Sequence, residues 1–383
     1  MVNYPMDWEM ITLGEIIKEG FGNLVKPSFK IKKYDYKHFG STPIISQEKE
    51  FISGYCNLSD INILSDQYIC FGDHTEIFKY IDFSFIQGAD GLKILKFNEE
   101  KIITKYAYYS LLFFYQRQNN YGRHFNHLLE TQIAFPSLPE QRLIAETLSQ
   151  FDTYISDLDE LIVKKRNIRD GALEDLVTGK TRLNGFNGKW INTTLGGCVD
   201  ILQGGTPKTT NPLYWNGNIV WVTPSEITKL SRMFISTSER KITKLGLDNS
   251  SATMLPAGTI VLCTRATIGN LAIASKPLAT NQGFKNLICK RNTSNFFLYY
   301  YLKSIKEELI LKAIGTTFLE ISKKALSKIN VFLPPLPEQR AIADVLMSMD
   351  NEIESLEMER DKMIQIREGA MDELLTGRVR LTK

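Results

Sequence analysis

Five groups of residues in this 383-residue sequence look equipped for chemistry, and four fail on inspection. Asn211-Pro212-Leu213-Tyr214 stands one residue from the Asn-Pro-Pro-Tyr signature of adenine methyltransferases. Its second proline is missing and no glycine-rich cofactor loop precedes it, so a turn with buried aromatics is expected. Thr178-Gly179-Lys180-Thr181 ends like a phosphate-binding loop, yet the required first glycine is Glu174 and no strand precedes it. A helix cap is expected there. His38, His74, His124 and His127 have no Cys or carboxylate at ligand spacing, which argues against a metal. Cys56, Cys70, Cys198, Cys263 and Cys289 are odd in number and never spaced C-x-x-C, as suits buried thiols in a reducing compartment.

The fifth group offers contact with a polyanion. Lys26, Lys30, Lys32, Lys33 and Lys37 alternate with Phe29, Tyr34 and Tyr36, a basic-aromatic run suited to phosphates. Arg123, His124, Asn126 and His127 form a polar stretch after a predicted helix, where Arg and Asn could pair with guanine and adenine edges. Lys208, Thr209 and Thr210 form a second polar loop. The charge distribution supports this reading. Residues 184–333 carry 18 basic against 7 acidic side chains, or +11, whereas 136–183 and 334–383 are acidic by 2 and 4. A pure coiled-coil organiser does not account for the basic segment.

The elements that must position these residues follow from an internal repeat. Leu138-Pro139-Glu140-Gln141-Arg142 recurs as Leu336-Pro337-Glu338-Gln339-Arg340, an offset of 198. The same ungapped offset aligns Arg169-Asp170-Gly171-Ala172 with Arg367-Glu368-Gly369-Ala370, and Leu176–Leu183 with Leu374–Leu381. A weaker echo, Trp8…Leu13-Gly14 and Trp190…Leu195-Gly196, opens each half at an offset of 182. Each repeated segment reads as one long helix, with Pro139 or Pro337 in the first turn and Gly179 or Gly377 at the end. Glu140 and Glu338 suit the positive end of the helix dipole. Leu148, Phe151, Ile155, Leu158 and Ile162 fall on coiled-coil spacing, as do Leu346, Met349, Ile353 and Leu356 in the second copy. The two helices are expected to pair antiparallel about an approximate two-fold axis. Lys165, Arg169, Arg360 and Arg367 interrupt the seam, fixing register or facing a partner's helix.

The expected division is a recognition region over 1–137, a helix over 138–183, a second region over 184–335 and a second helix over 336–383. The class is α+β: two mixed α/β regions separated by the helices. Strands are predicted at 67–71, 92–95, 218–222, 258–263 and 271–274, with helices over 101–118 and 296–312. The order of strands and then helix suggests one fold used twice. Tyr106–Tyr115, the longest apolar stretch, is too short to cross a bilayer. Met1-Val2-Asn3-Tyr4-Pro5 lacks a signal-peptide pattern, so a cytoplasmic protein is expected.

This arrangement resembles the specificity subunit of type I restriction–modification systems. The sharpest pieces are Phe135-Pro136-Ser137-Leu138-Pro139-Glu140-Gln141 and Leu333-Pro334-Pro335-Leu336-Pro337-Glu338-Gln339. The second region adds Gly204-Gly205-Thr206-Pro207, Thr264-Arg265-Ala266-Thr267-Ile268-Gly269 and Thr280-Asn281-Gln282-Gly283. The first departs from them, with Phe71-Gly72-Asp73-His74-Thr75 and Gln87-Gly88-Ala89-Asp90-Gly91 at the corresponding places. The resemblance implies a non-catalytic chain in which each region reads half of a split, asymmetric double-stranded DNA site. It adds Arg265, Thr267, Asn281, Gln282 and Lys285 to the DNA-contact candidates. The helices would space the halves and dock two modification subunits that methylate adenine N6 with S-adenosylmethionine. Restriction subunits would supply ATP- and Mg-dependent translocation and cleavage for phage defence. No cofactor is expected in this chain, and its start, equivalent to that of the second half, leaves no room for a catalytic domain.

Overall fold

The computed structural model describes residues 4–27, 29–57, 64–88, 91–118, 120–230, 232–313 and 319–381. Met1–Asn3, Ala89 and Asp90, which entered the sequence reading, lie outside them. The chain divides into two compact units, Met1–Glu160 with Glu357–Lys383, and Leu161–Leu356. Each unit thus takes one variable region, the N-terminal part of the helix that follows it, and the C-terminal part of the other long helix.

The first unit opens with β1 (Glu9–Thr12), α1 (Leu13–Lys18) and β2 (Gly22–Val25). Then come β3 (Thr42–Ile45), β4 (Gly54–Cys56), β5 (Tyr68–Gly72), β6 (Phe78–Ile81), β7 (Ile86–Gln87) and β8 (Leu92–Phe97). Helices α2 (Thr104–Phe114) and α3 (Phe125–Leu129) and strand β9 (Gln132–Phe135) lead into α4 (Leu138–Thr178). The strands form sheets in the orders β2-β8-β5-β6, β4-β3-β7 and β1-β9.

The second unit repeats this plan. It has β10 (Ile191–Thr194), α5 (Leu195–Cys198), β11 (Val199–Gln203), β12 (Trp215–Val222) and α6 (Pro224–Thr228). These are followed by β13 (Phe234–Ile235), β14 (Lys241–Ile242), α7 (Lys244–Asp248), β15 (Ile260–Cys263) and β16 (Leu271–Ala274). Next are β17 (Ala279–Thr280), β18 (Phe284–Cys289), α8 (Asn295–Ser304), α9 (Lys306–Leu311), α10 (Lys323–Ser327), β19 (Asn330–Leu333) and α11 (Leu336–Leu375). Its sheets run β11-β18-β15-β16-β13, β14-β12-β17 and β10-β19. Apart from the added β13, strand for strand this is the first unit's order, with β12–β17 parallel as β3–β7 is. The two regions share one fold despite different sequences. The helix predicted over 296–312 is two helices, because Ile305 leaves helical dihedrals (φ −98°, ψ 21°).

Within each unit the long helices pack antiparallel, as falling partner numbers show. Asp152 meets Arg367 at 2.6 Å and Asp159 meets Arg360 at 3.2 Å in the first unit. In the second, Lys165 meets Glu352 at 2.6 Å and Arg169 meets Asp350. Both helices end as glycine demands, with Gly179 at φ 74° and Gly377 at φ 72°. The core of the first unit joins Leu148 and partly buried Phe151 to Tyr106, Tyr109, Met371 and Leu374. The second joins Leu346 and Met349 to Leu173, Leu176, Phe297 and Tyr300. Among the described residues no helix is long and apolar enough to cross a membrane.

Candidate nucleic-acid interface

In the first unit two segments converge on buried carboxylates: the β5–β6 turn and the segment before α3. Asp73, 3% exposed, accepts from the Phe125 N–H at 2.9 Å and pairs with Lys93 at 3.4 Å. Glu76 is also buried and takes left-handed backbone (φ 54°), unusual for a residue with a side chain. It accepts from the Tyr115 hydroxyl at 3.0 Å and the Gln118 N–H at 2.8 Å. Unpaired burial of such groups would be costly, so these bonds fix the turn. Its outer surface carries Tyr121, almost wholly exposed and stacked on His74 with centroids 5.9 Å apart. His74 Nδ1 donates to the Gly122 carbonyl at 2.7 Å.

The predicted Arg123 and Asn126 lie on this surface. His124 does not: it is 5% exposed, with Nε2 3.4 Å from Glu76 Oε1. It belongs to the support of the turn, and the expectation that it touches DNA is corrected. His127 donates to the Gln116 carbonyl at 3.0 Å. Lys26, Lys30, Lys32, Lys33, Tyr34 and Lys37 are all exposed, while Ile31 between them is buried with Ile44, Cys56 and Ile86 and anchors the run. Lys33 is paired with Glu48, and Lys32 lies 5.8 Å from the Tyr34 ring centre.

In the second unit the structure brings two sequence motifs into contact. Gly205 N–H donates to the Thr280 carbonyl at 2.9 Å, and Thr206 hydrogen-bonds Gln282. A Cβ on Gly204 would stand 1.9 Å from the Asn281 carbonyl oxygen, so that approach requires glycine. Asn281 uses its side-chain oxygen internally, accepting from Gly283 N–H at 2.9 Å, whereas Gln282 is exposed. Lys208, Thr209 and Thr210 are exposed on the loop that follows, and Trp215 Nε1 donates to the Lys208 carbonyl at 3.3 Å. Asn211-Pro212-Leu213-Tyr214 is a 3₁₀ turn in which the Asn211 side chain accepts from Leu213 N–H. Trp215 is buried beside it, but Leu213 is exposed.

Arg265 and Lys285 meet on one carboxylate, Glu320, at 2.6 and 2.9 Å. Sequence reading missed Glu320, which carries no motif. Lys285 is 2% exposed, so its expected role as a surface contact is corrected to that of a buried ammonium behind Arg265. Thr267 is half-buried. Lys93 and Lys285 hold the same place in the two folds, opposite Phe71 and Leu262 on the neighbouring strand.

The repeated Glu-Gln pair anchors each long helix. Gln141, fully buried, accepts from the Ile103 N–H at 3.0 Å and donates to the Pro136 carbonyl at 2.9 Å. Gln339 does the same for Ser294 (2.8 Å) and Pro334 (2.8 Å). Glu140 and Glu338, nearly solvent-free, accept from the indoles of Trp8 and Trp190 at 3.3 and 3.2 Å. This explains the weak Trp echo. The seam residues Leu148, Leu158, Ile162, Leu346 and Ile353 are buried, and Phe151, Ile155, Met349 and Leu356 half-buried. Leu148 and Leu346 are wholly enclosed within their own units, so neither is free to meet another subunit. The seam interruptions Arg169 and Arg367 are answered by Asp350 and Asp152, which also accept from Tyr300 (2.7 Å) and Tyr109 (2.6 Å).

The geometry defines a class: a duplicated α+β recognition fold, each copy seated on a pair of antiparallel helices. The sequence matches the family described as type I restriction modification DNA specificity domain over residues 5–165 and 187–365. The chain belongs to this family and is a specificity subunit. The EcoR124I/EcoR124II specificity subunit of Escherichia coli is 26% identical over 393 residues, covering 94% of this chain and 91% of that protein. The MjaIX specificity subunit of Methanocaldococcus jannaschii is 37% identical over 169 residues, but these span only 44% of this chain and 39% of the relative. In fold, the chain is similar to the crystal structure of a type I S subunit from M. genitalium, with a TM-score of 0.65 at 18% identity over 98% of each chain.

Proposed function

We propose that each unit reads one half of a bipartite, asymmetric double-stranded DNA site and that the long helices hold the halves at a set spacing. The observation that carries this is one strand topology used twice with unlike loop chemistry. Buried Asp73 and Glu76 underlie His74, Tyr121 and Arg123 in one unit, and Arg265 and Lys285 share Glu320 in the other. Equal scaffolds with unequal loops suit two different half-sites. The exposed candidates are Lys30, Lys32, Lys33, Tyr34, Lys37, Arg123 and Asn126, then Lys208, Thr209, Thr210 and Gln282, with Arg265 at the edge.

The chemistry belongs to other subunits. Two modification subunits dock on the helices and methylate adenine N6 with S-adenosylmethionine, and restriction subunits add ATP- and Mg-dependent cleavage. Support for two like partners comes from equivalent helix positions: Ile168 and Ile366 are exposed, as are Gly171 and Gly369 three residues on. Residues 184–333 replaced by another such region should change one half of the methylated genomic motif, and a change in both halves would refute independent readers.

A further inference from the structure

Beside Arg265 in the second unit lies a cleft of about 340 Å³, lined by Gln203, Lys285, Lys312, Glu320, Ser322 and Lys323. Lys285, Lys312 and Lys323 thus share one cleft with Glu320, the carboxylate that Lys285 and the adjoining Arg265 bond. Lys312 is partly answered by Glu308 at 3.2 Å, while Lys323 is exposed at the mouth. Burial pushes the Glu320 carboxyl up, but hydrogen bonds from Arg265 and Lys285 outweigh it and hold the carboxyl below its usual range. It is therefore a fixed anion near neutral pH. The first unit builds the same place differently: Lys93 meets buried Asp73, and carboxylates rather than cations dominate.

We propose that this cleft seats a DNA backbone phosphate and that Glu320 is a positioning residue that sets the second unit's specificity. The proposal rests on the DNA-reading function above. Lysines converging on a concave surface focus positive potential on an arriving phosphate. Glu320 opposes that attraction for every sequence alike. At the same time it fixes one side of the Arg265 guanidinium, so that its remaining N–H groups point in one direction, as bidentate base contact requires. Glu320 thereby weakens indiscriminate binding and sharpens the correct contact.

The test uses the full chain and a fluorescent duplex of about 30 base pairs, either of random sequence or carrying the motif found by methylation mapping. Lys312→Gln with Lys323→Gln should reduce the slope of log affinity against log salt by about 1 to 2. Glu320→Gln should tighten random-sequence binding by about tenfold and narrow the ratio of motif to random affinity, with the thermal midpoint confirming a folded chain. An unchanged slope, or weaker random binding by Glu320→Gln, overturns the proposal. Inorganic phosphate saturating the cleft without displacing duplex would make it a small-anion site and overturn it too. Wild-type chain that shows no salt-dependent duplex binding would instead sink the DNA-reading function itself.

Discussion

Arg380 grips Glu140 in a two-pronged ion pair across 240 positions of sequence, with Nε and Nη2 at 2.7 and 2.8 Å from the two carboxylate oxygens. Arg182 grips Glu338 in the same way at 2.9 and 2.6 Å. In each unit, the tail that follows one long helix is thereby fastened to the first turn of the other. Such paired N–H···O geometry is specific as well as strong. Arg380 also bonds Asp7, and this arginine holds the Asp7 carboxyl below its ordinary range.

Removing the carboxylate tests the fastening. Glu140→Ala strands the buried Trp8 indole and leaves Arg380 without its main partner, and should cost about 1–3 kcal/mol of stability. Chemical denaturation of Glu140→Ala, Arg380→Ala and the double variant should show clear coupling. Additive losses would mean that the two residues stabilise the chain independently.

Gly171 and Gly369 sit inside long helices, yet a Cβ on either would meet nothing within 4 Å. Alanine there should stabilise the free chain by about 0.5–1 kcal/mol per site. Under the proposed docking, bulkier Gly171→Leu and Gly369→Leu should weaken co-purification of the modification subunits while leaving the chain folded. Undiminished co-purification would place docking on other faces.

Burial pushes the thiols of Cys70 and Cys263, both wholly buried, up to about 12 from 9.0. A raised folded-state pKa contributes stability that is fully present below the unfolded value and lost as pH climbs through the folded one. Thermal midpoints should therefore decline from about pH 9 upward, and these thiols should resist alkylation at pH 8 until the chain unfolds. Rapid labelling of Cys70 or Cys263 in the native chain, located by peptide mapping, would contradict their burial.

The repeat, the helices and their glycine ends were legible in the sequence because each is a local or periodic signal. What Arg169 and Arg367 do at the seam was not: their partners, Asp350 and Asp152, are about 200 positions distant and follow no local pattern. Lys285 and His124 misled for a related reason. Their side-chain types suggest the surface, and only strand register and loop closure put them beside Glu320 and Glu76. Glu320 itself was invisible for want of any motif.

The proposed spacing role of the helices makes a quantitative demand. Half-site centres are expected roughly one duplex turn, or ~10 base pairs, apart. One heptad inserted between Ile155 and Leu158, and another between Ile353 and Leu356, keeps the apolar seam in phase while lengthening each helix by about 10 Å. That length corresponds to roughly 3 base pairs, and it also turns the far half-site by about a third of a turn, so binding should weaken as the spacing shifts. A short flexible insertion near Leu183 perturbs the helices less. It should lengthen the non-specific spacer of the methylated motif and leave both half-site sequences intact, as genome-wide methylation mapping would show. Full activity with the original spacer would mean that the helices recruit partners without measuring distance.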